Sequence, residues 1–202
     1  MKQLTLDKVI RKPRRGKAKG GRPPKNGVKS GVSHLKRAAL NGQRHPVHVT
    51  LRMLPHVWNL RSRRCFGAIA RSFYAANGKF GLRLVRFNVL GNHLHLVCEA
   101  SDEKSLSKGM QGLEVRIAKA LNHVMERHGS VFDDRYHGHV LRSPTEVAHA
   151  LAYVRDNATK HFGRVTVDYS SASYPALVIA PRTWLLRLGI DYRLMPPKKR
   201  MR

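Results

Sequence analysis

Two strand-like runs, residues 82–90 and 93–99, stand on either side of the dipeptide Gly91-Asn92. Gly-Asn is typical of tight turns, and two strands joined by so short a turn must run antiparallel. A third run, residues 46–52, alternates apolar and polar side chains with the period of a half-buried strand. The sequence therefore predicts a fold built around an antiparallel sheet.

Helical patterns separate these strands. Apolar residues recur at helical spacing in residues 59–76 and 102–128, although Gly109 and Gly112 weaken the signal at the start of the second run. A third helix begins at Ser-Pro-Thr-Glu, residues 143–146, where Ser caps the helix, Pro fits its first turn and Glu completes a capping box. With a short strand at 136–141, the order predicts an α+β fold, in which helices pack on one face of an antiparallel sheet.

The chain is strongly basic. Lys and Arg number 39 against 12 Asp and Glu, a formal net charge of +27, while 42% of the residues are hydrophobic. A folded protein with this charge is expected to bind a polyphosphate, because each neutralised phosphate releases counterions. Nucleic acid is favoured over a membrane surface, since no basic amphipathic helix with a broad aromatic face is present. A ribosomal or other RNA-binding protein would share this composition, so charge alone does not identify the partner.

The length of 202 residues suits one folded domain with tails. Residues 1–44, with fourteen basic residues and one acidic residue, are predicted to be a disordered DNA-binding tail. The folded domain is predicted to span 45–163, and 164–202 to form a C-terminal extension with a basic tail. The chain has no apolar leader and no membrane-length apolar run, which predicts a cytoplasmic protein.

A short motif in the tail is a candidate for DNA binding. Gly21-Arg22-Pro23, with Lys25 close by, resembles an AT-hook, an arm that lays Arg in the minor groove of DNA. Gly20 stands where that family has a basic residue. Arg22 and Lys25 are therefore candidate DNA contacts, and a solvated basic tail is the alternative.

A pair of histidines on the predicted hairpin is the first candidate for chemistry. His93 and His95 are two residues apart, so their side chains point to the same face of the strand while Leu94 and Leu96 point to the core. Two imidazoles on a rigid strand form half of a metal site, although half-exposed polar residues of an ordinary strand would show the same pattern. The pair at 137 and 139 has the same spacing, but Gly138 between them buries nothing, so it ranks lower.

The capped helix supplies the second candidate. Tyr153 and Asn157 are four residues apart and lie one above the other on the helix. The apolar face turned to the sheet contains Val147, Leu151 and Val154, which places Tyr153 near the edge of that face. A tyrosine packed at the core boundary is the alternative.

In combination these motifs resemble the HUH single-tyrosine transposases, most closely the REP-associated tyrosine transposases. A His-hydrophobic-His strand is followed by a helix that bears Tyr-x-x-x-Asn, over a resemblance that runs from about residue 46 to residue 163. The segments that carry the resemblance are Pro-Val-His-Val-Thr at 46–50, Asn-His-Leu-His-Leu-Val at 92–97, Phe-Asp-Asp-Arg-Tyr at 132–136 and Tyr-Val-Arg-Asp-Asn at 153–157.

The resemblance implies a ferredoxin-like HUH nuclease fold and an enzyme that cleaves and rejoins single-stranded DNA near hairpins. Tyr153 would be the nucleophile and would form a covalent 5′-phosphotyrosine. His93, His95 and Asn157 would hold a divalent metal, Mg²⁺ or Mn²⁺. Many members have Pro after the Asn, whereas Ala158 follows here, which is expected to leave the helix straighter.

Further residues are candidates for the DNA path. Arg135, Tyr136, Arg155 and Lys160 could contact DNA, and Tyr136 is the second choice of nucleophile. The protein would bind single-stranded DNA and DNA hairpins as a monomer or a homodimer. The C-terminal segment around Trp184 is predicted to be a short helix that docks this side chain on the core.

Three other functions fit parts of the pattern. A replication initiator or relaxase shares the chemistry, but such proteins often carry additional domains. A non-catalytic nucleic-acid-binding protein would use the charge alone and leave the histidines structural. A metal-dependent hydrolase would need a carboxylate near the histidines, and Glu99 is displaced from His93 by roughly 20 Å along the strand at about 3.3 Å per residue.

Overall fold

The computed structural model describes residues 40–42, 44–162 and 167–194, with only the backbone given for 158–162 and 191–194. The AT-hook-like motif with Arg22 and Lys25 lies outside this part. No helix in the described ranges is long and apolar enough to cross a membrane. The elements are β1 (Val47–Arg52), α1 (Arg63–Ala76), β2 (Arg83–Val89), β3 (His93–Glu99), α2 (Glu103–Val124), β4 (His137–Val140), α3 (Pro144–Phe162) and α4 (Trp184–Leu194).

The four strands form one antiparallel sheet in the order β2-β3-β1-β4. The predicted hairpin of β2 and β3 is confirmed, and Leu90 N–H donates to the carbonyl of His93 across its turn. β3 lies in the middle, where Thr50 of β1 and Asn88 of β2 both pair with His95. This register decides which side chains surround the histidine.

Helices cover both faces of the sheet. The predicted α+β class is confirmed. The predicted layer of helices on one face is formed by α1 and α2, which share a core with Leu94 and Leu96. α3 and α4 pack on the opposite face, because Val85 and Val97 are apolar there and need cover. The order of elements along the chain does not show on which face of the sheet each helix packs.

Side-chain caps set the starts of the helices. α1 begins four residues later than the predicted position 59, because Ser62 caps it by accepting a hydrogen bond from the N–H of Cys65 at 3.3 Å. At α3, Ser143 accepts from the N–H of Glu146 as predicted, at 3.2 Å. The Glu146 carboxylate accepts from the N–H of Arg142 at 2.8 Å, one residue before the cap.

The two edges of the sheet differ. The segment at 169–179 covers the outer edge of β2 with three backbone hydrogen bonds, which join Val89 to Tyr169, Ser171 to Phe87 and Ile179 to Leu84. β4 forms the other edge and has four residues, three of them exposed. No strand within the described ranges pairs with its outer side.

A buried carboxylate ties the C-terminal segment to the sheet. Glu99, the last residue of β3, accepts hydrogen bonds from the N–H groups of Arg182 and Thr183 and from the Thr183 hydroxyl, at 2.7 to 2.9 Å. It also pairs with Arg83 at 3.2 Å. These contacts hold the start of α4 against β3, and the carboxylate therefore has a structural role.

The prediction for the C-terminal helix is partly wrong. The helix exists, but Trp184 is 51% exposed, whereas Leu185 and Leu186 are buried. The contacts of Glu99 to residues 182 and 183 fix the direction of the first turn of α4. In that direction the two leucines point inward and Trp184 points outward. Arg44 lies over the Trp184 ring at 5.9 Å from its centroid.

The two glycines of α2 generate a prediction about stability. A Cβ at Gly109 would lie 2.3 Å from the Cβ of Leu82, whereas a Cβ at Gly112 would meet only the Arg116 and Phe80 side chains, at 3.3 Å. We expect Gly109→Ala to lower the free energy of unfolding by about 1–3 kcal/mol, because the helix must move away from Leu82. Gly112→Ala, the matched control, should be neutral or stabilising by up to about 1 kcal/mol, as Ala favours helix. Urea denaturation measures both, and equal effects would contradict this close approach.

Candidate active site

The histidine pair of β3 converges as predicted. The rings of His93 and His95 are nearly perpendicular, with centroids 4.8 Å apart, and both lie on the face away from Leu94. Nδ1 of His93 lies 2.7 Å from the side-chain oxygen of Asn92, and an amide oxygen only accepts, so this nitrogen carries the proton. In the neutral imidazole Nε2 is then the nitrogen without a proton, which is the one that can bind a metal.

His95 is held in a similar way. It is buried, and its Nδ1 lies 3.2 Å from the hydroxyl oxygen of Thr50 on β1. Metal-binding histidines generally use one ring nitrogen for the metal and the other for such a contact, which fixes the ring orientation. Thr50 was not among the residues singled out from the sequence, because its position opposite His95 depends on the pairing of β1 with β3.

A third histidine, His48 on β1, completes the cluster. Its ring stacks on that of His95, with centroids 5.3 Å apart and an angle of 28°. Burial, and to a lesser extent the neighbouring His139 and His137 of β4, lower the pKa of His48 to about 4. Its Nε2 is buried and makes no hydrogen bond to the described residues. His48 is therefore neutral at pH 7.

Tyr153 lies beside this cluster. Its ring meets His95 edge-on, with centroids 5.0 Å apart, and His48 likewise at 5.8 Å. The side chain is 40% exposed, so a substrate can reach it from solvent. The structure thus brings together the predicted tyrosine of α3 and the predicted histidines of β3.

An asparagine on β2 holds α3 in place. The side-chain amide of Asn88 donates to the backbone carbonyl of Val154 at 2.6 Å, and Asn88 is fully buried. Because Asn88 pairs with His95 in the sheet, this bond places the residue after Tyr153 above the histidine. The sequence carries a local hint, a polar residue inside an apolar strand, but no indication of its partner.

Asn157 is buried on the face of α3 that packs against the sheet, one turn after Tyr153. The Nδ2 atom makes no hydrogen bond to the described residues, so this amide has unused capacity. Among those residues no three His, Cys, Asp or Glu side chains form a metal-binding group. The family resemblance names the Asn157 oxygen as the third donor beside the two imidazoles. That donor set suits a divalent cation.

The other predicted residues lie elsewhere. Tyr136 is 7% exposed and belongs to the core under α1 and α2. It is two residues before Gly138, so the two lie on the same side of the sheet. Arg135 is exposed and lines a cleft along α2 with Tyr136. Arg155 pairs with Asp156 through both carboxylate oxygens and lines a cleft on the β2 side. The side chain of Lys160 lies outside the described part.

A cleft of 590 Å³ opens next to Tyr153 between β4 and α3. His48 and His139 form one wall, and β4 places His137 and His139 on the same face as the β3 histidines, with β1 between the two pairs. The sequence pattern ranks the 137 and 139 pair as a rival site, whereas the sheet makes it part of the same surface. The cleft is lined by His48, His139, Leu141, Glu146, His149, Ala150, Ala152, Tyr153 and Asp156.

No family model matches the sequence, and no curated protein matches it. Among solved structures, the chain is similar to a REP-associated tyrosine transposase bound to a REP hairpin. The TM-score is 0.57 at 16% sequence identity, over 75% of this chain and 90% of the other. This similarity shows that the chain has the fold of that transposase.

Two further structures are more distant. A protein from Deinococcus radiodurans described as a transposase has a TM-score of 0.42 at 15% identity, over 64% of this chain and 97% of the other. A bacterial tRNA(His) guanylyltransferase-like protein in complex with GTP has a TM-score of 0.41 at 16% identity, over 61% and 66% of the two chains.

The low pKa of His48 predicts how stability depends on pH. With a pKa of about 4 in the folded protein and 6.5 when unfolded, the unfolded chain binds the proton more readily between these values. His48 therefore favours folding above pH 6.5, and this contribution, roughly 3 kcal/mol, is lost as the pH falls to 4. Denaturation of His48→Gln at pH 7 and pH 4, with chelator present, should show a smaller loss of stability on acidification than the wild type. His123→Gln, an exposed histidine of α2, is the control, and an identical response of the two variants would contradict the prediction.

Proposed function

We propose that the protein is a metal-dependent transposase of the HUH type, which cleaves and rejoins single-stranded DNA near hairpins. The observation that carries this proposal is the meeting of His93, His95 and Tyr153 at one surface, with the tyrosine ring 5.0 Å from that of His95. These residues come from separate segments, and a core-boundary tyrosine has no need of an imidazole pair. The similarity of fold to a REP-associated tyrosine transposase supports the same proposal.

Three residues would hold the metal. His93 and His95 offer imidazole nitrogens, and Asn157 offers the oxygen of a buried amide. When bound, a divalent ion such as Mg²⁺ or Mn²⁺ supplies Lewis-acid polarisation of the scissile phosphate. The contacts of Asn92 and Thr50 keep both imidazoles in position for that ion.

Tyr153 would act as the nucleophile. Its phenol oxygen forms a bond to the phosphorus while the bond from phosphorus to the 3′-oxygen breaks, and the phenolic proton ends on that 3′-oxygen. The segment downstream of the cut stays attached to Tyr153 through its 5′-phosphate, and the upstream segment leaves with a free 3′-hydroxyl. Because the number of phosphate ester bonds is unchanged, a 3′-hydroxyl can reverse the reaction and join strands without ATP.

His48 would keep the site receptive to a cation. It is neutral at pH 7 because it is buried, and it stacks directly on His95. A protonated imidazole at this distance would repel a divalent metal, so neutrality favours binding.

The cleft beside Tyr153, with Leu141 and Ala150 in its lining, offers an apolar surface for a base next to the scissile phosphate.

The substrate would be a DNA hairpin with a single-stranded arm. The similar transposase structure contains a REP hairpin, which makes such hairpins the first substrates to test here. Arg135, Tyr136, Arg155 and Lys160 remain candidate contacts for the strand, and Arg22 and Lys25 of the tail for a duplex stem. We propose action as a monomer or homodimer in the bacterial cytoplasm, close to the nucleoid.

A non-catalytic nucleic-acid-binding protein is the second candidate, favoured by the net charge of +27. In that protein the histidine cluster would be structural, and loss of the Tyr153 hydroxyl would change nothing measurable. The two functions therefore predict different effects for the single substitution Tyr153→Phe.

The covalent step is tested with labelled single-stranded DNA hairpins taken from the flanks of the gene. In the presence of Mn²⁺ we expect an adduct that survives denaturing electrophoresis, and Tyr153→Phe should abolish it while hairpin affinity stays within about twofold, because only the hydroxyl is lost. Tyr136→Phe is the matched control and should keep the adduct. Tight binding without an adduct in the wild type would leave the non-catalytic protein as the better account.

The metal site is tested with a second pair of variants. We expect His95→Ala, and EDTA with the wild type, to reduce adduct formation by at least about 100-fold, since the phosphate loses its charge stabilisation. His137→Ala removes an exposed histidine from the same face and should leave the rate within about twofold. Full adduct formation in EDTA would exclude the metal-dependent mechanism.

A further inference from the structure

A strongly basic groove lies on the other side of the sheet from Tyr153, between α1 and the C-terminal end of α2. The cleft measures 680 Å³, and four arginines from two segments of chain line it beside a single acidic residue, Glu126. Neither the histidine site nor the fold of the sheet requires these charges. The basic residues of the groove are Arg63, Arg64, Arg71, His123, Arg127 and His128.

Two of the arginines form hydrogen bonds within the protein. Arg64 donates to the carbonyl of Val124 at 3.3 Å, at the end of α2. Arg127 donates to the carbonyls of His128 and Ser130, at 2.9 and 3.4 Å. Arg64 satisfies a carbonyl at the end of α2, and Arg127 satisfies two carbonyls of the loop that follows, so their presence needs no ligand.

The other two arginines have no such role. Arg63 and Arg71 are exposed and make no hydrogen bond or ion pair with the residues that the structure describes. They are eight residues apart on α1, about 12 Å at 1.5 Å per residue, with Gly67 midway between them. A Cβ at Gly67 would meet only the guanidinium of Arg71, at 3.6 Å, so the floor of the groove is open between the two charges.

Trp58 lies between the groove and a second cleft, which contains His93. A cleft of 540 Å³ at the β2–β3 turn contains His93, Asn92 and Arg52 on one side and Val57 and Asn59 on the other. Trp58 lies between those last two residues in the chain, is 48% exposed and is covered by Arg64 at 5.7 Å from its ring centroid. The surface thus leads from His93 past an exposed aromatic ring into the arginine groove.

From this arrangement we infer that the groove binds the phosphate backbone of a duplex DNA stem, whose single-stranded arm continues past Trp58 to His93 and Tyr153. The inference rests on the proposed function for the identity of the nucleic acid. Two exposed cations about two helical turns apart, with an open floor between them, can each contact a phosphate of such a stem. Trp58 stands where duplex and single strand meet, and its ring can stack on the last base pair.

The test compares hairpin binding with single-strand binding. The double variant Arg63→Ala/Arg71→Ala is measured without metal, so no cleavage occurs, against a hairpin and against the same arm without its stem, over a range of salt. We expect hairpin affinity to fall at least tenfold. The slope of log affinity against log salt should fall by about 2, since each phosphate contact contributes about 0.9. Affinity for the single strand should be unchanged.

Control variants keep the test specific. Arg182→Ala/Arg187→Ala removes the same charge from exposed positions at α4 and should leave hairpin affinity within about twofold. Trp58→Ala should weaken the hairpin about tenfold without changing its salt slope, because stacking releases no counterions.

Several outcomes would overturn the assignment. An unchanged salt slope for the hairpin, or an equal loss for hairpin and single strand, would show that the groove does not seat a stem. Tighter binding of the matching RNA hairpin through Arg63 and Arg71 would assign the groove to RNA. Failure of the proposed chemistry has a different signature, since a protein that forms no adduct would still show the stem-specific loss of binding.

Discussion

The site depends on the alternation of side chains along β3, one of the two central strands of the sheet. Leu94 and Leu96 point into the core, and His93 and His95 therefore point to the opposite face. A shift of one residue in register would turn the two imidazoles into the core under α1 and α2 and move the two leucines out of it, and each leucine lost from the core would cost up to about 1.5–3 kcal/mol. The hydrophobic core thus fixes the orientation of the histidines without contacting them.

The same face must also be partly apolar, or no helix would bring Tyr153 to it. Val97 continues the histidine side of β3 and packs under α3 with Leu151 and Val154. Asn88 then sets the height of the helix through its bond to the carbonyl of Val154. Apolar packing holds the helix on the sheet, and one buried hydrogen bond decides which of its residues lies above His95.

Local signals in the sequence were sufficient for the elements and for part of the site. The β2–β3 turn, the cap at Ser143 and the two-residue spacing of His93 and His95 are properties of short segments, and the structure agrees with them. The close approach of Tyr153 to His95 was implied only by the family resemblance, because nothing local links α3 to β3.

Pairings between distant segments escaped prediction. His48 and Asn88 gain their roles from strand register and from helix docking, which a single sequence does not display. Tyr136 shows the opposite case. It was a candidate DNA contact and the second choice of nucleophile, whereas the side of the sheet on which it lies puts its ring in the core.

Charge is separated in this protein. The arginines of the groove lie on the α1 and α2 side. On the histidine face, burial lowers the pKa of His48 to about 4, and Arg155 pairs with Asp156. A divalent cation and a polyanion can therefore be attracted to different parts of the same highly basic molecule. Gly67 does not stabilise α1, because glycine weakens a helix by about 1 kcal/mol relative to alanine. Its effect is to keep the floor of the groove open.

The unequal edges of the sheet bear on how the protein behaves at high concentration. The segment at 169–179 closes the β2 edge, so in the described part another chain could extend the sheet only at β4. That edge has four residues, and Gly138 and the two histidines around it give a poor template for a further strand. Resistance to edge-to-edge aggregation therefore depends on this one short strand, and an apolar replacement at His137 or His139 would remove its protection.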